Sequence, residues 1–162
     1  MHAIVDDLCA RYRIDLAPMA DQLCMNWDEI TELDGDPLVT IGAHTVNHAM
    51  LSKASDEAVR REIEEGRRIL ETRLGRPVQH LAYPYGGRDL AGSREFAVAR
   101  ELGFKTAVTT RPGVLFPGHA AHLTALPRIS LNGEYEQERF VKVLLSGAAT
   151  ALFNAFRKVD AV

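Results

Sequence analysis

The chain has 162 residues, of which 46% are hydrophobic and 25% are charged, a composition typical of a globular protein with a buried core and not of a disordered or fibrous one. Its 19 basic and 22 acidic residues give a net charge of -3, so binding to nucleic acid or to an anionic membrane is not expected. The two cysteines, Cys9 and Cys24, are interpreted as buried thiols, with a disulfide between them as the alternative. No apolar run reaches the about 18 residues of a membrane span, and acidic residues follow the start where a signal peptide would carry basic ones, so a cytoplasmic location is the default expectation.

Helices are predicted at the amino terminus. Apolar residues recur at helical spacing over residues 1–12, Pro18 opens a second short helix, and Asn26 caps a third helix that begins at Trp27. These helices form an amino-terminal segment over residues 1–33, which a turn at residues 34–37 closes.

Strands and helices then alternate. Strands are predicted at residues 38–41, 78–83 and 104–110, with a short final strand at 126–131. The helices between them are predicted at residues 55–75 and 93–102, and the many charges of the first are interpreted as its solvated face. A carboxyl-terminal helix, interrupted near Gly147, lies within residues 134–162. The alternation predicts an α/β fold with a parallel sheet and crossover helices, in a single domain over residues 1–162.

Two histidines follow the first predicted strand. His44 and His48 are four residues apart, a spacing that places both imidazoles on one face of a helical turn. Two neutral imidazoles are half of a zinc site, and zinc normally needs at least one further protein ligand. The alternative is that both are solvated polar residues at the start of a helix.

Three segments that contain histidine, tyrosine, threonine or arginine together with glycine or proline each follow a predicted strand. They lie at residues 42–48, 83–86 and 109–113. Because the carboxyl ends of parallel strands meet at one edge of the sheet, functional groups collect there. We therefore expect the histidines to belong to a site and not to a solvated surface.

The ordered series GAHTVNH, LAYPYG, GFKTAVTT and LPRISL resembles the polysaccharide deacetylase family over about residues 38–133. The resemblance implies a partial, distorted (β/α) barrel with extra amino-terminal and carboxyl-terminal helices. It also implies hydrolytic removal of N-acetyl groups from an amino-sugar polymer or oligomer, with an N-acetylated saccharide as substrate. In the family a divalent metal, usually zinc, is held by the H-[ST]-x-x-H motif, which His44, Thr45 and His48 match.

The second motif of the family, R-x-P-Y-G, implies further roles. Tyr83, Pro84, Tyr85 and Gly86 match its last four positions, so the backbone N–H of Tyr85 is expected to stabilise the oxyanion. Tyr83 and Pro84 are expected to line the substrate groove. Ala82 stands where many members carry arginine.

The family takes its catalytic base and third metal ligand from a T-F-D-D-G motif, which has no counterpart in this sequence. The nearest echo is residues 4–7, with Asp7 as the candidate metal ligand and solvated helix acids as the alternative. His122 is the candidate general acid, with a surface loop histidine as the alternative. Arg128 is interpreted either as a substrate contact or as the partner of a buried carboxylate.

Three interpretations stay open on the sequence alone. The chain is the carboxyl-terminal two-thirds of a deacetylase domain with impaired activity, or a non-catalytic remnant that binds a saccharide or a metal, or an unrelated α/β protein with chance histidines. Because an opened barrel exposes strand edges, we expect either a homo-oligomer or coverage of the gap by the amino-terminal helices.

Overall fold

A computed structural model describes the backbone of residues 2–160 and the side chains of residues 4–160. The described chain forms two compact units, Met1–Thr40 and Ile41–Val162, and the single domain over residues 1–162 stays a prediction. In the described residues, no helix is both long enough and apolar enough to cross a bilayer.

The first unit contains three helices, α1 (His2–Tyr12), α2 (Ala17–Leu23) and α3 (Trp27–Asp34), close to where they were predicted. Helix α3 begins as expected at Asn26, whose side chain accepts hydrogen bonds from two backbone N–H groups of the first turn. The side chain of Glu29 accepts from the N–H of Asn26 in return, at 2.7 Å. This capping box satisfies donors that a helix start otherwise leaves unpaired.

Both cysteines carry free thiols, so the disulfide alternative is wrong. Cys9 is half-buried, but Cys24 is exposed, and the prediction of a buried thiol is therefore wrong for Cys24. Cys24 directly follows the last residue of α2, at a helix end where its side chain meets solvent.

The second unit is built on a parallel sheet of three strands in the order β1 (His80–Ala82), β2 (Thr106–Pro112) and β3 (Leu126–Arg128). The sheet and its parallel topology confirm the predicted α/β class. Two longer helices accompany it, α4 (Asp56–Leu74) and α5 (Ser93–Glu101).

Helix α4 has the predicted bounds because both of its ends carry local signals. The Ser55 side chain accepts from the N–H of Ala58 at 3.3 Å, and Gly75 ends the helix with a φ of 66°, a conformation that glycine adopts without a Cβ penalty. The remaining elements are short: 3₁₀ turns at Leu51–Lys53 and Pro117–Ala121, and the helices α6 (Glu138–Leu145) and α7 (Ala148–Phe153). Gly147, with a φ of 75°, separates α6 from α7 at the predicted interruption.

The core of this unit lies between the sheet and helices α4 and α5. Its members are apolar side chains with little or no solvent exposure, including Val59, Ile63, Leu81, Phe96 and Ala107. Burial of this apolar surface is the main favourable contribution to folding of the unit.

The predicted strand at residues 38–41 does not form. The side chain of Asp36 accepts from the N–H of Leu38 at 2.8 Å, which holds this stretch in a turn, and Leu38 is 93% exposed. Only Ala43 pairs with the sheet, through one parallel bridge to Leu81. An apolar run becomes a strand only where a neighbouring strand pairs with its backbone N–H and C=O groups. The homo-oligomer that was expected from exposed strand edges stays a prediction.

Candidate functional site

The two histidines lie on an irregular segment, residues 43–48, here called the histidine loop. Thr45 and His48 have φ values of 64° and 50°, so the predicted helical turn is wrong. The loop nevertheless brings the imidazoles of His44 and His48 into edge-to-face contact, with ring centroids 4.8 Å apart. The histidines therefore converge through loop geometry and not through helical spacing.

His44 is oriented by the sheet. Its Nδ1 lies 2.7 Å from the carbonyl oxygen of Ala82, and because a carbonyl can only accept, Nδ1 must carry the hydrogen. In the neutral ring Nε2 then keeps its lone pair, as in metal-binding histidines whose other nitrogen donates to a backbone carbonyl. Ala82 thus contributes its backbone carbonyl to the site.

The second part of the site is the bend at residues 83–86. Tyr85 and Gly86 have φ values of 60° and 59°, and the ring of Tyr85 lies 4.9 Å from that of His48. The hydroxyl of Thr110 donates to the Tyr85 carbonyl at 2.5 Å, and the Thr110 N–H donates to the Gly86 carbonyl at 3.0 Å. Strained backbone of this kind persists only where its surroundings hold it. The N–H of Tyr85 donates to no acceptor within residues 2–160.

The two residues before Tyr85 belong to the core. Tyr83 is 1% exposed, and its hydroxyl donates to the Thr124 carbonyl at 2.8 Å. Burial, aided by the negative charge of Glu95, raises the pKa of Tyr83 far above its ordinary value. Pro84 is also fully buried. The prediction that these two side chains line a substrate groove therefore does not hold, because both are buried in the core.

Arg128 ends β3 on the exposed surface. It lines a shallow cavity together with Thr110 and residues 129–131, and Thr110 is the residue that holds the Tyr85 carbonyl. Because Arg128 is exposed, it is not the partner of a buried carboxylate. A substrate contact beside the bend stays a prediction for this residue.

His122 lies at the other end of the sheet. It is exposed, and the next residue, Leu123, accepts from the N–H of Ala107 at the start of β2. The Tyr85 bend instead contacts Thr110, three residues further along β2, which is about 10 Å at the rise of a parallel strand. His122 is thus at the amino ends of the strands, so the structure does not bring it to the histidine pair.

Asp7 lies on α1 in the first unit, where its carboxylate forms an exposed ion pair with Arg11 at 3.0 Å, one helical turn away. Among the side chains that the structure describes, no three His, Cys, Asp or Glu residues are grouped so that they could hold a metal ion. The structure therefore gives no support to Asp7 as the third ligand. The donors present fit a divalent metal as two ligands of an incomplete set.

Sequence reasoning missed Glu62 of α4, which it assigned to the solvated face of that helix. The Glu62 carboxylate accepts from the N–H of Val46 at 3.2 Å, from the N–H of Asn47 at 2.9 Å and from the Asn47 side-chain amide at 2.6 Å. Burial acts to raise the pKa of Glu62, but these hydrogen bonds outweigh it and lower the pKa below its ordinary value. No motif announces this contact, because it joins residues 15 and 16 positions apart through the tertiary fold.

Fold and site together define an α/β protein whose paired histidines and tyrosine bend meet at the carboxyl ends of parallel strands. A family model described as polysaccharide deacetylase matches residues 13–107, which is more than half of the chain. The chain belongs to the polysaccharide deacetylase family.

Solved structures of deacetylases share the fold. The deacetylase PplD of Streptococcus pyogenes, solved in complex with acetate, matches with a TM-score of 0.68 and 24% identity, over 80% of this chain and 54% of that one. A polysaccharide deacetylase from Bacillus cereus gives 0.64 and 23%, over 74% and 36%. The deacetylase domain of BpsB from Bordetella bronchiseptica gives 0.54 and 20%, over 64% and 48%.

The chain thus spans about half or less of the length of these three proteins. No curated protein matches it.

Proposed function

We propose that this chain carries the histidine-bearing part of a metal-dependent deacetylase, which hydrolyses N-acetyl groups on an amino-sugar polymer or oligomer. The observation that carries the proposal is the convergence of His44, His48 and Tyr85 at the carboxyl edge of the sheet, in a chain of the polysaccharide deacetylase family. Functional groups of parallel α/β folds collect at this edge.

His44 and His48 are the residues that would hold the metal, with Nε2 of His44 set free by the bond from Nδ1 to Ala82. Imidazole donors suit zinc and its divalent neighbours, so zinc is the proposed metal. When bound, such an ion supplies Lewis acidity and a more acidic water.

The remaining steps fall to the residues around the bend. As the amide carbonyl of the substrate becomes tetrahedral, the N–H of Tyr85 would donate to the developing oxyanion, a contribution that is largest when the donor is already fixed in place. The Thr110 hydroxyl donates to the Tyr85 carbonyl, which lies in the peptide that follows this N–H, and so restrains the bend at Tyr85. Arg128, beside Thr110 in the same cavity, would bind hydroxyl groups of the saccharide.

A second candidate function is favoured by one observation. Hydrolysis also needs a base for the proton of the attacking water, and no Asp or Glu joins the histidine pair as a metal-binding group in the part of the chain that the structure describes. The chain would then be a remnant that binds a metal or a saccharide without turning it over.

Acetate release from an N-acetylglucosamine oligomer, measured on the full chain with added Zn²⁺, tests the proposal. The variants are His44→Ala and His48→Ala, with His122→Ala as a matched control because it removes an imidazole at the opposite end of the sheet. We expect both site variants to abolish release and the control to retain it. Zinc binding that depends on His44 and His48 without acetate release favours the metal-binding form of the second candidate. The absence of zinc binding and of acetate release contradicts both the deacetylase proposal and that form.

A further inference from the structure

We propose that Glu62 is a positioning residue, whose carboxylate on α4 holds the histidine loop in the shape that lets His44 and His48 bind the same ion. This inference rests on the proposed function. It concerns a residue that contacts neither imidazole and acts through Val46 and Asn47.

The histidine loop needs an external support because its backbone is strained. Thr45 is β-branched and has a φ of 64°, a conformation that such residues rarely adopt. His48 also has a positive φ. Strain of this kind is kept at functional sites only when the surroundings over-determine it.

Glu62 supplies that support from the helix side. One carboxylate oxygen accepts from the N–H groups of Val46 and Asn47, and the other accepts from the Asn47 side chain at 2.6 Å. All three donors lie in the stretch between the two histidines. Charge-assisted hydrogen bonds are stronger than neutral ones, so a single side chain fixes the middle of the loop.

A second feature of α4 places the same loop. Gly66 is four residues after Glu62 and so lies on the same helix face. A Cβ at Gly66 would lie 2.7 Å from the carbonyl carbon of Thr45, which shows how closely the loop backbone approaches the helix. Helix α4 thus holds the histidine loop at two positions one turn apart. The Glu62 carboxylate accepts hydrogen bonds from the loop, and Gly66, which has no side chain, lets the loop backbone approach the helix closely.

The two histidines depend on this support to different degrees. His44 has its own bond to the sheet through Ala82, whereas His48 directly follows Asn47, which Glu62 holds. Loss of the Glu62 carboxylate should therefore displace His48 more than His44.

Zinc titration of the full chain by calorimetry tests the inference, with Glu62→Ala, Glu62→Gln and the matched control Glu64→Ala at an exposed site of the same helix. Removal of groups that orient metal ligands typically weakens affinity by about 10–100-fold, and we expect this for Glu62→Ala, with no more than about a twofold change for the control. The Glu62→Gln variant should retain most of the affinity, because the oxygen of the new side chain accepts from both backbone N–H groups and its amide donates to Asn47 once the Asn47 amide flips.

Circular dichroism at the titration temperature separates positioning from folding. Weaker zinc binding by a fully folded Glu62→Ala chain, with recovery in the Glu62→Gln variant, supports the inference. Equal zinc affinity in the Glu62→Ala and Glu64→Ala chains overturns it. If Glu62→Ala unfolds, Glu62→Leu, which keeps an apolar side chain at this position but accepts none of the three hydrogen bonds, is titrated in its place, and unchanged affinity there overturns the inference as well. If the His44→Ala and His48→Ala chains bind zinc as tightly as the wild type, the proposed function itself is overturned. This result differs from the one that overturns only the role of Glu62.

Discussion

Replacing Gly66 with alanine should displace the histidine loop while favouring the helix that carries the change. The added Cβ would lie 2.7 Å from the Thr45 carbonyl carbon and 2.8 Å from its oxygen, against an ordinary carbon–carbon separation of about 3.5–4.0 Å. The loop backbone must therefore move by about 1 Å. Alanine stabilises a helix interior over glycine by about 1 kcal/mol, and overpacking costs about 1–3 kcal/mol, so the expected net destabilisation is about 0–2 kcal/mol.

Urea unfolding and zinc calorimetry, run on the same Gly66→Ala preparation, check this reasoning. We expect a small change in the free energy of unfolding together with an about tenfold or larger loss of zinc affinity, since misplacing one ligand loosens the site. Glu64→Ala again serves as the control on α4. A Gly66→Ala chain that gains about 1 kcal/mol of stability and binds zinc like the wild type would refute the claim that the loop is seated on this helix.

Three further predictions concern residues outside the loop. Arg111 is 4% exposed and donates to two backbone carbonyls at 2.8 Å. We expect Arg111→Met to lower the free energy of unfolding by about 1–3 kcal/mol, because it leaves buried polar groups unpaired. A change within experimental error in urea unfolding would show that these hydrogen bonds do not contribute to stability. The pKa of Glu71 is lowered from its ordinary value of 4.5 by the N–H of Val78 and by Arg67. Its ionised carboxylate therefore contributes fully to stability above pH 4.5, and this contribution is lost as the pH falls through the lower pKa of the folded state. Glu71→Gln should reduce the loss of stability at acid pH, and stability curves that run parallel for the two chains would contradict this. Asp7→Asn removes only an exposed ion pair, so zinc affinity should stay unchanged, and a clear loss on titration would restore Asp7 as a ligand.

Much of the fold follows from local signals in the sequence. Ser55 and Gly75 bound α4 because a hydroxyl cap and a left-handed glycine act within one turn of the helix end. The branched residues of β2 and the alternation of strands with helices predict the parallel sheet for equally local reasons. These elements need little information about distant partners.

The candidate site was predicted only in part, because its geometry depends on tertiary contacts. Spacing placed His44 and His48 together for the wrong reason, since the positive φ of Thr45 cannot be read from a β-branched residue. The support that Glu62 gives the histidine loop could not be predicted, because in the sequence Glu62 looks like any other charged residue on a solvated helix face. The groove role of Tyr83 did not hold because its hydroxyl reaches the Thr124 carbonyl inside the core.

The single bridge at Ala43 links the edge of the sheet to the chemistry of the site. Ala82 donates its N–H to the Ala43 carbonyl at 2.9 Å and accepts from His44 through its own carbonyl, so one residue of β1 clasps two successive loop residues. Opening of these two hydrogen bonds would free His44 to rotate. An ion bound by both His44 and His48 would oppose this opening, because binding to the closed form shifts the equilibrium toward it. Slower hydrogen–deuterium exchange at the Ala82 amide is thus the expected sign that the ion has bound.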